Sequence, residues 1–199
     1  SIFNYDVLAA DLKAYYDHHA LENTVLLGHS MGGKTAMLFA ALYPECVSKL
    51  IVADIAPRFY PVHHDAILDG LSSLNFEELT SRKEAEIQLS KYVQDIGTRQ
   101  FLLKNIYRVS PTVLGLRINL EALKTQVFEV GEALSPILSY PKDCLFLRGD
   151  QSEYISIQDE GAIKVQFPNA TIQTVTNAGH WLHAENPVEF FERVCAFIA

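Results

Sequence analysis

The 199 residues are 49% hydrophobic and 20% charged, enough apolar side chains to fill the core of one domain. Asp and Glu number 24 against 16 Lys and Arg, for a formal net charge of −8, and no basic run offers a footprint for nucleic acid or an anionic membrane surface. No apolar stretch approaches the roughly 20 residues that span a bilayer and no signal peptide opens the chain, so a cytoplasmic location is expected.

In chain order, Asp6 to His19 sets Leu8, Leu12 and Tyr15 or Tyr16 on one face, a helix suited to packing on a sheet. Thr24 to Leu27 is a short apolar run suited to a buried strand, and Thr35 to Leu42 is strongly helical before Pro44. Ser48 to Ala53 is the next strand and ends at Asp54. From about Phe59 to Pro141 the alternation of strand and helix stops. Helical patterns replace it, with Ala85, Leu89, Val93 and Ile96 in one segment and Leu116, Leu120, Leu123 and Val127 in another. Strands resume at Cys144 to Arg148 and at Ala170 to Val175, followed by the loop Thr176 to Trp181. Asn186-Pro187 then supplies an N-cap and a first-turn proline for a helix through Ile198. The three cysteines, Cys46, Cys144 and Cys195, are scattered in apolar surroundings and read as buried packing thiols.

Two chemistries claim the turn between the first strand and its helix. Gly28-His29-Ser30-Met31-Gly32 is G-x-S-x-G, a turn that presents a nucleophilic serine. Extended through Gly33-Lys34-Thr35 it also satisfies G-x-x-x-x-G-K-[ST], the phosphate-cradling P-loop. Asp54 at the next strand end suits a magnesium-holding carboxylate, but such an Asp ends many buried parallel strands. The nucleotide-binding reading leaves the carboxyl-terminal third without a chemical role. The nucleophile reading requires a histidine after the last strand, and His180 lies in that loop. The serine reading is therefore favoured. On it Gly28 and Gly32 let strand and helix approach closely, and Lys34 reaches solvent from the helix. A plain N-cap serine is the bland alternative for Ser30. His63 with His64 is weighed as a metal pair and set aside, because adjacent residues point apart. No metal and no cofactor is expected.

Taken together, Asn4-Tyr5-Asp6, Gly28 to Lys34, Val52-Ala53-Asp54-Ile55-Ala56-Pro57, Leu147-Arg148-Gly149 and Ala178-Gly179-His180 resemble the α/β-hydrolase superfamily. The nearest likeness is to the branch of YbfF-like esterases and mitochondrial abhydrolase-domain proteins, over essentially the whole chain. The resemblance implies a mostly parallel sheet flanked by helices, with core residues 1–58 and 141–199 and a helical cap or lid inserted over 59–140. It also implies that the strands opening the fold, about four before the first helix, are missing from the amino-terminal end. A mitochondrial matrix location is the alternative that this leaves open for a eukaryotic source.

The roles follow from the resemblance and from elementary acyl-transfer chemistry. Ser30 is the candidate nucleophile and His180 the candidate base that takes its proton. Met31 supplies one oxyanion-hole amide, the second lying upstream of this chain. The acid has two candidates. In many α/β-hydrolases it follows the strand here formed by Cys144 to Arg148 in a G-x-x-D pattern, a position that holds Ser152, two residues after Asp150. The YbfF-like branch carries it on the preceding strand, which favours Asp54 and leaves Asp150 as the alternative. The expected reaction is cleavage of a small or medium carboxylic ester or thioester. Alternatives are acyl transfer to an alcohol on the same triad and a non-catalytic ligand-binding protein. Phe59, Tyr60, Phe101, Tyr107 and Phe128 suit an acyl pocket or, equally, cap core. The expected partner is a small-molecule acyl substrate, with no nucleic acid and no membrane span. The residues leave oligomeric state open.

Overall fold

The computed structural model describes residues 2–62 and 65–199. His63 and His64, weighed above as a metal pair, lie outside the described residues. The chain forms α1 (Tyr5–His18), β1 (Thr24–His29), α2 (Met31–Leu42) and β2 (Val47–Ala53). It continues through α3 (Asp65–Ser72), α4 (Arg82–Leu89), α5 (Ile96–Leu103), β3 (Ile106–Arg108), β4 (Leu114–Leu116), α6 (Leu120–Gln126) and α7 (Phe128–Gly131). It closes with β5 (Cys144–Gly149), α8 (Asp159–Gln166), β6 (Ala170–Val175), α9 (Leu182–Glu185) and α10 (Pro187–Ile198). Two compact units result, one of residues 4–60 and 129–199 and one built mainly of residues 61–128. Among the described residues, no helix is long and apolar enough to cross a membrane.

The first unit is an α/β layer structure. Its four strands run in the order β1-β2-β5-β6, every neighbouring pair parallel. Central strands of a parallel sheet are covered on both faces, and here they are continuous apolar runs. Leu50, Val52, Cys144 and Phe146 point into one core with α1 and α2, while Ile51, Ala53, Leu145 and Leu147 point into another with α9 and α10. The Asn4 side chain caps α1 by accepting from the Val7 amide at 2.9 Å. That helix buries Tyr5, Ala9 and Tyr16 and rests Leu8 and Leu12 against the same core, leaving Tyr15 exposed. At the carboxyl-terminal end the Asn186 side chain caps α10 with Pro187 in its first turn. Residues 129–140 belong to this unit, and Leu134 and Tyr140 lie in its core.

The second unit is small and aliphatic. Leu71, Leu74, Leu79, Ala85, Leu89, Leu102, Leu103, Ile106 and Leu114 form its core, and side chains of Ser81, Asp95 and Asn119 cap α4, α5 and α6. It also contains an antiparallel ribbon, β3 with β4, that helical periodicity through Leu116 did not foretell. Strands of three residues are too short to display an alternating pattern. Phe101 and Phe128 are exposed, and Tyr60 packs against the α/β core. Of the three cysteines, Cys46 and Cys144 are buried as expected, but Cys195 is exposed on α10.

Candidate active site

The turn from β1 to α2 places Ser30 at φ 53° and ψ −125°, a backbone conformation that costs a non-glycine residue energy and is held only by its surroundings. The surroundings are specific. The Ser30 amide donates to Ala53 O at 2.9 Å, tying the turn to β2, and Ser30 O accepts from Gly33 and Lys34 amides at 2.8 and 3.1 Å. A Cβ at Gly28 would lie 2.2 Å from Gly32 O, so only glycine lets the helix start this close to the strand. The second tight glycine is Gly33, whose Cβ would meet Ile55 at 2.6 Å, whereas Gly32 has nothing within 4 Å. The close approach expected of Gly32 thus belongs to its neighbour. Ser30 occupies the N-cap position of α2 but its side chain makes no capping bond, contrary to the bland alternative; its hydroxyl points elsewhere.

It points at His180. Ser30 Oγ lies 3.0 Å from His180 Nε2, and His180 Nδ1 lies 2.8 Å from Asp54 Oδ2. A carboxylate only accepts, so Nδ1 carries the hydrogen and Nε2 accepts from the serine hydroxyl. Asp54 is fully buried at φ 52°, and its carboxylate is saturated with donors. Oδ1 accepts from the Gly149 amide at 3.2 Å, and Ser152 Oγ donates to Oδ2. Burying a charge is costly unless it is paired and hydrogen-bonded in this way. Asp54 N donates to Leu147 O at 2.8 Å, so the carboxylate is anchored across the β2–β5 pair.

Asp150 is elsewhere. Its exposed carboxylate accepts from the Asn177 and Ala178 amides at 2.9 and 3.0 Å, shaping the turn that precedes His180, where Asn177 sits at φ 51°. Ser152, which stands in the G-x-x-D position, meets the carboxylate from β2 by its hydroxyl. The structure therefore gathers Ser30, His180 and Asp54 into one chain of hydrogen bonds and leaves Asp150 outside it. Met31, the first residue of α2, has its amide in the first helical turn, where N–H groups lack intrahelical acceptors and the helix dipole is positive.

Several contacts around the imidazole were not foreseen. His29 Nε2 donates to His180 O at 2.8 Å, and burial pulls the pKa of His29 down to about 4. Glu185 holds the loop by accepting from the Gly179 and Trp181 amides at 2.6 and 3.2 Å. Tyr154 lies face to face on the His180 ring, with centroids 3.9 Å apart at 19°. Lys34 does not reach solvent as the helix position suggested. It is fully buried, its Nζ donating to Gly131 O at 3.1 Å and to Glu132 O, and lying over the Tyr5 and Tyr60 rings. Burial lowers its pKa to about 8. Its donors serve main-chain carbonyls of the segment that returns to the sheet.

With this geometry in hand, comparison with known proteins is informative. The family described as alpha/beta hydrolase fold matches residues 2–187. The chain is 36% identical over 202 residues to the mouse protein named sn-1-specific diacylglycerol lipase ABHD11, covering 98% of this chain and 66% of that protein. It is 33% identical over 188 residues to Esterase YbfF of Escherichia coli, covering 94% of this chain and 71% of the relative. A solved structure described as a marine microorganism esterase superposes with a TM-score of 0.91 at 38% identity, over 98% of this chain and 77% of that one. The chain thus spans about two-thirds of the mouse relative's length. On the fold, the motif spacing and these relatives, the chain belongs to the α/β-hydrolase family, in the branch that includes YbfF and ABHD11.

Proposed function

We propose that this protein is a serine hydrolase that cleaves a small or medium carboxylic ester or thioester through an acyl-enzyme on Ser30. The observation that carries the reading is the continuous path from Ser30 Oγ through the His180 ring to the buried Asp54 carboxylate, at 3.0 and 2.8 Å. Ser30 Oγ attacks the substrate carbonyl carbon while its proton passes to His180 Nε2. The tetrahedral oxyanion forms beside the Met31 amide and the positive end of α2. On collapse, the bond to the leaving alcohol or thiol breaks and His180 returns the proton to it. Water then attacks the acyl carbon while His180 accepts its proton; the bond from the acyl carbon to Ser30 Oγ breaks, His180 returns the proton to Oγ, and the carboxylic acid leaves. Asp54 keeps the proton of the neutral imidazole on Nδ1 and favours the imidazolium that forms at each attack. The esterase and lipase names of the relatives support the same reaction class.

The test is active-site labelling. Diisopropyl fluorophosphate should add to Ser30, located by peptide mass spectrometry, and block turnover of p-nitrophenyl butyrate. Ser30→Ala should take no label and lose turnover by a factor on the order of 10⁶, as when the serine of another triad is removed. An adduct elsewhere, with esterase activity intact in Ser30→Ala, would overturn the assignment.

A further inference from the structure

We infer that Tyr154 is a positioning residue for His180, held against the imidazole so that its ring face favours the protonated form through which the reaction passes. The inference deepens the assignment of His180 as base and rests on it. Tyr154 approaches the imidazole as a stacked plane, 3.9 Å between centroids and 19° from parallel. A protonated imidazole is a cation, and the face of an aromatic ring attracts a cation placed over it. Asp54 meets the imidazole at Nδ1, whereas Tyr154 meets it on its face.

The tyrosine is held from both of its backbone ends. Its amide donates to Ser152 Oγ at 3.2 Å, and Ser152 Oγ in turn donates to Asp54. Its carbonyl accepts from the Tyr60 hydroxyl at 2.5 Å, and that hydroxyl accepts from the Ala56 amide at 2.8 Å. The Tyr60 ring stacks on Tyr154 in turn, at 5.3 Å and 28°. Arg58 lies over the Tyr60 ring at 3.9 Å and pairs with Asp159 at 2.9 Å. Residues 54 to 60 thus supply the carboxylate of the site, the tether of Tyr154 and a ring stacked on it. Asp54 and His29 are further titratable groups in contact with the imidazole, the latter neutral above about pH 4. Burial and the nearby Asp54 charge raise the Tyr154 phenol above its ordinary value, so its ring remains the neutral phenol.

The experiment compares Tyr154→Leu, which keeps apolar bulk without a ring face, with Tyr154→Phe, which keeps the face. Rates with p-nitrophenyl butyrate are followed from pH 4.5 to 9. In Tyr154→Leu the acidic limb of kcat/KM should move about half a pH unit lower, the size of a cation–ring contact, and kcat should fall several-fold at unchanged KM. Tyr154→Phe should restore both. A Tyr154→Leu enzyme with the wild-type limb and kcat overturns the inference, as does a Tyr154→Phe enzyme that behaves like Tyr154→Leu. Should Tyr154→Leu not fold, Tyr60→Phe decides, because it keeps both rings and deletes the bond to Tyr154 O together with the one accepted from the Ala56 amide. It should lower kcat two- to fivefold at constant KM, and kinetics indistinguishable from wild type overturn the inference. Failure of the hydrolase reading would show earlier and differently, in a wild type that turns over no ester and takes no label on Ser30.

Discussion

The two units of the chain are built by different rules. In the helical unit, the elements are set locally: side-chain caps at Ser81, Asp95 and Asn119 open the helices, and an aliphatic core holds them. Among the described residues, no non-glycine residue there has positive φ and no charged side chain is buried. The α/β unit contains all five residues of that kind, Ala20, Asn23, Ser30, Asp54 and Asn177, and the buried polar groups Lys34, Asp54, Asp159 and Gln166. Strained backbone and buried charge both cost stability, and they persist where surrounding structure compensates. Three of these residues, Ser30, Asp54 and Asn177, lie in the site or in the turn before His180, where strain and buried charge set the geometry.

The sharpest way to break that contrast is to remove the charge from the buried carboxylate and keep its shape. Asp54→Asn should fold, yet lower turnover of p-nitrophenyl butyrate about 10⁴-fold, as in a triad whose acid becomes an amide. Asp150→Asn should change kcat little, since it disturbs only two amide contacts of an exposed turn. Circular dichroism on both variants separates chemistry from folding. If Asp150→Asn is the crippled enzyme and Asp54→Asn is near normal, the two roles exchange.

A cavity in the helical unit should act by packing alone. Leu89 is fully buried there, and Leu89→Ala should cost about 2–5 kcal/mol in urea unfolding. A loss below about 1 kcal/mol would mean that this unit collapses around the gap, and that its core is less closely packed than the contrast supposes.

The strained turn makes a graded test, because its glycines differ in room. Gly28→Ala places a methyl 2.2 Å from Gly32 O and should cost about 1–3 kcal/mol as the helix is pushed from the strand, with turnover falling as Ser30 moves. Gly32→Ala meets nothing within 4 Å and should be neutral or up to about 1 kcal/mol more stable, from helix propensity. Equal effects from the two substitutions would contradict the geometry of the turn.

Much of this architecture was legible in the residues, and the gaps have physical causes. Strands advertise themselves as short apolar or β-branched runs, so β1, β2, β5 and β6 could be placed from sequence. Their burial could not: β1 is an edge of the four-stranded sheet and leaves Val25 and Leu27 exposed, against the buried strand expected there. The glycines and the strand-loop-histidine ending indicated where Ser30 and His180 would lie. The choice between Asp54 and Asp150 was not local, since each follows a strand. What separates them is a contact spanning 126 residues and a hydroxyl from Ser152, neither of which a spacing reveals. Lys34 misled for the opposite reason: its helix, Met31 to Leu42, contains no other charged residue. A helix apolar all round is a buried helix, and that signal outweighs the habit of sending a lysine to water.

A pH-dependent effect is expected at His29, which separates a part-buried polar group that supports the site from one that reacts. Folded, its pKa is about 4 against an ordinary 6.5, mainly because burial disfavours the charged ring. Between those values the unfolded chain binds the proton and the folded chain does not. Acid therefore favours unfolding across this window, and the contribution is lost as pH falls from 6.5 toward 4, with a limiting slope of about 1.4 kcal/mol per pH unit. His29→Gln cannot titrate there but retains an amide donor able to reach His180 O. Urea unfolding of the two proteins at pH 7, 6, 5 and 4.5 should give curves whose difference grows as pH falls, with wild type losing more. Parallel curves would mean that the imidazole accepts its proton without unfolding, and that the bond from Nε2 to His180 O leaves His29 room to turn toward water.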